Sequence, residues 1–188
     1  FIASQWKYSK DGKSLVINIK TGVKFHNGKR LTAKDIKKAW ENNFSANRDC
    51  EERDLLKSVV GSTEFLEGKT AEISGISIIN DSTIKVNFHQ PNALFMHILT
   101  NPVFWVYDCE DETTFKPGTG PFIIKESKEN KEIYLERNDK YHRGLPRVTA
   151  INCSVFRDAN YAYEEYQAKR IDYLDTVPLA EIKEIKET

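Results

Sequence analysis

The sequence predicts an α+β (mixed α/β) fold, and three observations lead to that prediction. Short segments alternate apolar and polar residues, as Ile84, Val86 and Phe88 do, which is typical of strands with one buried face. Turn pairs such as Asn27-Gly28 separate these segments. Apolar residues at helical spacing occur between the hairpins, so a regular doubly wound βαβ series is disfavoured.

Local signals position each predicted element. Thr32 is placed to cap a helix, and Asp35 completes a capping box. Pro91 precedes a short apolar helix, and Asp158 is placed to cap a later one. The predicted elements, in chain order, are β structure over 6–25, a helix after 32, a helix over 51–60 ended by Gly61, a hairpin of 73–79 and 83–88, a helix over 93–99, a loop over 108–120, strands over 122–125, 132–136 and 148–156, a helix over 159–168, a strand over 171–174 and a charged helix from 179.

Composition disfavours two partner classes. The 188 residues carry 28 basic and 28 acidic side chains, so the net charge is zero, and binding to nucleic acid is not predicted because it needs excess positive charge. No run of about 18 apolar residues occurs, so no membrane span is predicted. The chain starts at Phe1 without an export segment, and we expect either a removed signal or a cut N-terminus.

Metal, cofactor and redox sites are not predicted. Cys50, Cys109 and Cys153 are far apart and form no CxxC, so we expect three free thiols, mostly buried, with at most one intramolecular disulfide as the alternative. The segment Gly118–Pro121 contains GxG, but its proline lacks an N–H donor and a strand follows, so a rigid bend is favoured over a phosphate site. The acidic residues 108–112 are interpreted as a solvated loop, and no cofactor is predicted.

Catalysis has no positive signal. The histidines form no HExxH pattern, and His97, within an apolar segment, is interpreted as a core histidine. No Gly-x-Ser-x-Gly elbow occurs, although an enzyme on an unrelated α+β fold and a pure interaction module remain alternatives. The aromatic stretch of Phe104, Trp105 and Tyr107 follows a proline and precedes a polar loop, which makes it the best candidate for lining a ligand cleft.

Four segments together resemble the family 5 extracytoplasmic solute-binding proteins, which include oligopeptide- and dipeptide-binding proteins. Their order and spacing match, and the resemblance covers nearly the whole chain. Departures from the family pattern occur at Asn27, His142 and Lys169. The matching segments are 6–12 leading into 23–36, then 117–122, then 135–141 with 144–146, and finally 168–172.

The resemblance implies a first-lobe fragment of a two-lobed periplasmic-binding-protein-like fold. Residues 1–27 and 116–188 would belong to the main sheet of the first lobe, and residues 28–115 would form an inserted α/β subdomain. The second lobe would lie outside this segment, together with most groups that anchor a peptide.

The resemblance also implies a function as a non-enzymatic receptor for an ABC importer. The whole protein would be extracytoplasmic, held to the membrane only through an upstream lipid anchor, and would deliver oligopeptides or dipeptides to permease subunits. A non-peptide solute such as a metal chelate or a sugar is the alternative within the family. The residues expected nearest the ligand cleft are Phe104, Trp105, Gly118, Thr119 and Gly120.

Overall fold

The computed structural model describes residues 2–46, 50–179 and 181–182. The chain divides into two compact units. The larger unit comprises Phe1–Ile123 and Arg137–Arg147, and the smaller unit comprises Ile124–Glu136 and Val148–Thr188. None of the helices formed by the described residues combines the length and the apolar character that a membrane span requires.

The described residues form strands, α-helices and 3₁₀ turns that are combined into two sheets. A four-stranded antiparallel sheet has the order β1-β2-β4-β3, and a three-stranded sheet has the order β5-β6-β7. The elements are β1 Ala3–Tyr8, β2 Ser14–Ile19, α1 Ala33–Phe44, a 3₁₀ turn at Glu51–Leu56, α2 Ser62–Leu66, β3 Ile76–Asn80, β4 Thr83–Asn87, α3 Phe95–Ile98, a 3₁₀ turn at Pro102–Phe104, β5 Phe122–Lys128, β6 Glu132–Arg137, β7 Ala150–Ser154 and α4 Ala159–Gln167.

The core of the larger unit begins on one face of the four-stranded sheet. In β2, Leu15 and Ile17 are buried while the residues between them are partly exposed. They lie directly opposite Val86 and Ile84 of β4. Cross-strand apolar pairs of this kind stabilise a sheet and fix its register, because a shift by one residue would turn every side chain to the other face.

Helix α1 contributes a second apolar surface to the same core. Thr32 and Asp35 form the predicted capping box, in which the Thr32 N–H donates to Asp35 Oδ2 at 2.8 Å. Ile36, Trp40 and Phe44 follow at intervals of four residues and are buried. The helix predicted after Thr32 is therefore confirmed, and its stripe packs in one cluster with β2 and β4.

The smaller unit consists of the three-stranded sheet and α4. Asp158 caps α4 by accepting hydrogen bonds from the N–H groups of Asn160 and Tyr161, as predicted. Among its described residues, however, Ala162 is the only buried hydrophobic side chain. Large apolar side chains such as Val155, 50% exposed, stay in contact with solvent.

Some predicted elements differ from the structure. The helix predicted over 51–60 is a 3₁₀ turn over Glu51–Leu56, and α2 begins only at Ser62. Gly61 separates them with φ +75°, and a Cβ there would lie 2.1 Å from Ser74 Oγ, so the left-handed glycine interrupts the helix. No strand forms over 171–174, and the helix predicted from 179 lies mostly outside the described residues.

Two side-chain predictions are corrected. His97 is exposed rather than part of the core, because α3 is a single turn whose buried residue is Phe95. All three cysteines are free as expected, but Cys153 is exposed and the other two are half-buried, so the thiols are not mostly buried.

The sheet also crosses a predicted domain boundary. Strand β2 lies before residue 27 and β4 lies after it, yet the two pair over five residue positions. Residues 1–27 therefore share a sheet and a core with residues 28–115. The signals for both segments are local hairpin patterns, which do not reveal that hairpins distant in sequence pair with each other.

Candidate functional site

The bend at Pro117–Pro121, predicted to lie near the ligand, is fixed by backbone contacts. The His26 N–H donates to the Gly118 carbonyl at 2.9 Å, and the His26 ring Nε2 lies 3.1 Å from the Gly120 carbonyl oxygen. Burial lowers the pKa of His26, and the hydrogen bond to Gly120 opposes that effect only in part. The ring therefore holds the bend as a neutral imidazole near pH 7.

Asn138 and Asp108 fix the same bend from two other segments. The Asn138 side-chain amide donates to the Gly120 carbonyl at 3.0 Å, and its N–H donates to Pro121 at 2.8 Å. The Asp108 N–H donates to the Pro117 carbonyl at 2.9 Å. Carbonyls along the bend are thus held in place, which confirms the interpretation of this segment as a rigid structural device.

The aromatic stretch has two opposite environments. The Phe104 ring is 3% exposed and packs 5.5 Å from Trp40, 5.0 Å from Phe44 and 6.0 Å from Phe95, measured between ring centroids. The Phe104 side chain therefore belongs to the core, and its expected place near the ligand cleft stays a prediction. Trp105, one residue later, is 66% exposed.

A small hydrogen-bond network positions the exposed Trp105. The Asn43 amide donates to the carbonyls of Val103 at 2.8 Å and Trp105 at 3.2 Å. The Tyr107 hydroxyl donates to Asn43 Oδ1 at 2.9 Å and accepts from the Asn42 amide at 2.5 Å. These contacts fix the stretch to α1.

Tyr107 also connects this stretch to the bend. It forms an isolated antiparallel bridge with Gly118. Two of the predicted site segments, Trp105–Tyr107 and Gly118–Gly120, are therefore brought together in the larger unit. Sequence spacing alone gave no sign of this contact, because the ten loop residues 108–117 separate the bridged positions.

An ionic cluster holds the loop that follows. Lys29 Nζ lies 2.9 Å from Asp108, 3.1 Å from Asp35 and 3.0 Å from Glu110. Asp108 is 3% exposed, so the interpretation of residues 108–112 as a fully solvated loop is wrong at this position. The physical reason is that Lys29 and the Asn27 amide satisfy the carboxylate as it is buried.

The cluster shifts the pKa values of its members. Burial alone would raise the pKa of Asp108, but the hydrogen bonds from Lys29 and Asn27 outweigh burial and leave it below its ordinary value. Lys38 and Lys29 lower the pKa of Glu110 to about 2. The three carboxylates around Lys29 in turn raise the pKa of that lysine. Asp108, Glu110 and Lys29 are thus charged at neutral pH.

Comparison with known proteins identifies this architecture. The family model described as "Bacterial extracellular solute-binding proteins, family 5 Middle" matches residues 1–188. The chain belongs to this family. The resemblance stated from the sequence is therefore confirmed.

Curated members of family 5 are similar over most of this chain. The oligopeptide-binding protein AppA of Bacillus subtilis is 31% identical, with 97% of this chain and 33% of AppA covered. A dipeptide-binding protein of Lactococcus lactis is 26% identical over 92% of this chain and 34% of its own. The nickel-binding protein NikA of Staphylococcus aureus is 28% identical over 92% of this chain and 32% of its own. The chain thus spans about a third of these relatives.

A solved structure shares this fold. OppA of Burkholderia pseudomallei superimposes with a TM-score of 0.88 at 21% identity, covering 99% of this chain and 39% of OppA. The predicted mixed α/β fold, matching part of a periplasmic-binding-protein-like fold, is therefore confirmed.

The residues that hold the bend and the aromatic stretch in place were missed by sequence reasoning. His26, Asn43, Lys29 and Asn138 each hold the bend or the aromatic stretch through contacts at long sequence separation. An asparagine or a lysine in a polar segment resembles any solvated residue. Only Asn27, flagged as a departure from the family pattern, carried a signal, and its amide donates to Asp108 and Asp111.

Proposed function

We propose that this chain is part of the first lobe of a receptor that binds oligopeptides or dipeptides for an ABC importer. The observation that carries the proposal is the family match over the full chain, together with peptide-binding relatives along more than nine-tenths of it. The rigid bend and the exposed Trp105 are consistent with a ligand-facing surface that needs little reorganisation on binding.

In this proposal the receptor works without catalysis. The second lobe closes over an extended peptide, whose main chain forms hydrogen bonds like those of an added strand. Trp105 and Gly118–Gly120 face the ligand, whereas Phe104 supports them from the core. The receptor is extracytoplasmic, carries an upstream lipid anchor and presents the closed form to permease subunits.

Ligand identification tests the proposal. We expect mass spectrometry of the longer protein, purified without added ligand and then denatured, to detect short peptides. The isolated chain should bind such peptides only weakly in calorimetry, because one lobe supplies one wall of the cleft. Micromolar or tighter binding to the isolated chain would show that the site assignment is wrong.

A non-peptide solute is the second candidate. The observation in its favour is the similarity to NikA, which matches this chain about as well as the peptide-binding relatives do. The same experiment separates the two, since a nickel complex or a sugar in place of peptides would overturn the peptide assignment. The family match supports a solute-binding function over an enzyme on an unrelated fold.

A further inference from the structure

A pocket of about 350 Å³ opens beside Trp105 in the larger unit. It combines apolar, aromatic and acidic groups. The lining residues are Asn43, Cys50, Glu52, Pro102, Val103, Trp105 and Tyr107.

In this pocket, Asn43 and Tyr107 form hydrogen bonds within the protein. The Asn43 amide is engaged by the carbonyls of Val103 and Trp105, and its oxygen accepts from the Tyr107 hydroxyl. These groups therefore give the wall its shape. A ligand is left with the exposed Trp105 side chain, the apolar surface of Pro102 and Val103, and the Glu52 carboxylate, one oxygen of which accepts a long hydrogen bond from the Cys50 thiol at 3.7 Å.

The turn that carries Glu52 is also held in place. Arg53, the next residue, donates to the main-chain carbonyls of Ser45, Ala46 and Leu66. The acidic group is thus presented from an anchored 3₁₀ turn, which reduces the entropy that a ligand would otherwise have to overcome.

This combination of groups suits one class of ligand. The face of an indole ring attracts a cation. A carboxylate near the same opening also attracts a cation. An apolar wall accommodates a hydrocarbon stem that leads to a charged head group. An anion is disfavoured by Glu52, and a short neutral solute would leave the ring and carboxylate without specific partners.

We propose that this pocket binds a basic side chain of a peptide, with the guanidinium or ammonium group at the Trp105 ring and the Glu52 carboxylate. The inference rests on the proposed function, which supplies the peptide that carries this basic side chain. It adds a preference for Arg or Lys at one position, and a single blocked amino acid is enough to test the pocket itself.

The test titrates the 188-residue chain with N-acetyl-arginine amide and follows the three Trp indole N–H signals by NMR. We expect the Trp105 signal to shift while that of Trp40, buried and bonded to Phe104, stays constant and reports an intact core. N-acetyl-citrulline amide, the neutral isostere, should bind at least about fivefold more weakly. Equal binding of the two probes, or no binding of either, overturns the proposal.

Matched variants locate the site. Trp105→Leu should abolish the preference for arginine, whereas Trp6→Leu, at a tryptophan 52% exposed elsewhere in the larger unit, should preserve it. Glu52→Gln should weaken binding of the arginine probe and reduce the dependence of that binding on salt. Glu51→Gln removes the same charge from a neighbouring position outside the pocket lining, and it should change neither quantity. Equal effects within either pair, or tighter binding of N-acetyl-tyrosine amide than of the arginine probe, contradict a cation site.

Failure of this inference is distinguishable from failure of the proposed function. A longer protein that retains peptides but binds arginine- and citrulline-containing versions equally would overturn the pocket and leave the receptor function standing. A chain that binds the arginine probe at Trp105, in a protein that retains no peptide, would support the pocket chemistry and overturn the peptide receptor.

Discussion

The larger and smaller units use the same local devices but differ in burial. Both have antiparallel strands and a capped helix, with Thr32 capping α1 and Asp158 capping α4. The larger unit buries side chains such as Leu15, Phe44 and Phe95 completely. Among the described residues of the smaller unit, only Ala162 is a buried hydrophobic side chain.

This difference shows that secondary structure and stability have separate sources. Capping, alternation and turn residues determine where a helix or strand forms, and they act equally in both units. Burial of apolar area provides the main favourable free energy of folding, and the larger unit has far more of it. We therefore expect the larger unit to fold cooperatively and the smaller unit to open at a much lower free energy.

The largest expected effect comes from deleting a central aromatic ring. Phe104→Ala should lower the free energy of opening of the larger unit by about 3–5 kcal/mol. The ring contacts three buried aromatic neighbours, and its removal leaves a cavity among them. Native-state hydrogen exchange at the β2 amides measures this. Phe156→Ala, in the smaller unit, is the matched control and should cost under about 1.5 kcal/mol. Similar costs would show that the units do not differ as proposed.

The next effect tests the ionic cluster of the larger unit. Asp108→Asn should cost about 1–3 kcal/mol at pH 7, since it removes a buried charge that Lys29 and Asn27 satisfy. Urea unfolding at several pH values measures the loss. The matched control is Glu112→Gln, an exposed acid in the same loop, which should have little effect.

The Asp108→Asn variant also tests how the stability of the larger unit depends on pH. The pKa values of Asp108 and Glu110 are lowered in the folded chain, to about 2 for Glu110, so their stabilisation is complete above the ordinary pKa near 4. The contribution of Glu110 is lost as the pH falls from about 4 towards 2, and that of Asp108 is lost as the pH falls below about 4 through its own lowered pKa. The stability difference between wild type and Asp108→Asn should therefore shrink over this range, and a constant difference would contradict the role of the charge.

A smaller effect on stability is expected from removing each of the two helix caps. Thr32→Ala should destabilise the larger unit by about 1 kcal/mol, because the capping box is lost. Asp158→Ala removes a cap of similar strength from α4 but should leave exchange in β2 and β4 unchanged. Slower exchange after either substitution would contradict the role of the cap, and a change in β2 caused by Asp158→Ala would argue against independent units.

The smallest effect is expected at the end of α4. Lys169 has φ +59°, so the left-handed turn usual for glycine is kept despite the side chain. Lys169→Gly should therefore stabilise the last turn of α4 by up to about 1 kcal/mol, by relieving the contact of Cβ with the backbone. Exchange at the Ala168 and Arg170 amides, which bond back to the helix, reports the change. Faster exchange would contradict this account.

Sequence reasoning predicted those features that depend on neighbouring residues. The cap at Thr32, the alternation in β2 and β4 and the cap at Asp158 were predicted because each involves groups within a few positions. The 3₁₀ turn at Glu51–Leu56 was predicted as a longer helix, because apolar spacing does not distinguish one helical turn from several.

The candidate site was predicted less well because tertiary contacts build it. Phe104 and Trp105 are adjacent and both aromatic, yet one is in the core and the other is exposed. Asp108 resembled its acidic neighbours, and its burial depends on Lys29, 79 residues away. Such distinctions require knowledge of which segments pack together, which a single sequence does not provide.

The positions of the tryptophans have a practical consequence for spectroscopy. Trp6, Trp40 and Trp105 all lie in the larger unit, and Trp40 is the one of them enclosed in the core. The smaller unit has no tryptophan but contains exposed tyrosines such as Tyr161 and Tyr173. Fluorescence excited at the red edge of indole absorption therefore reports on the larger unit alone. Opening of the smaller unit does not contribute a tryptophan signal of its own.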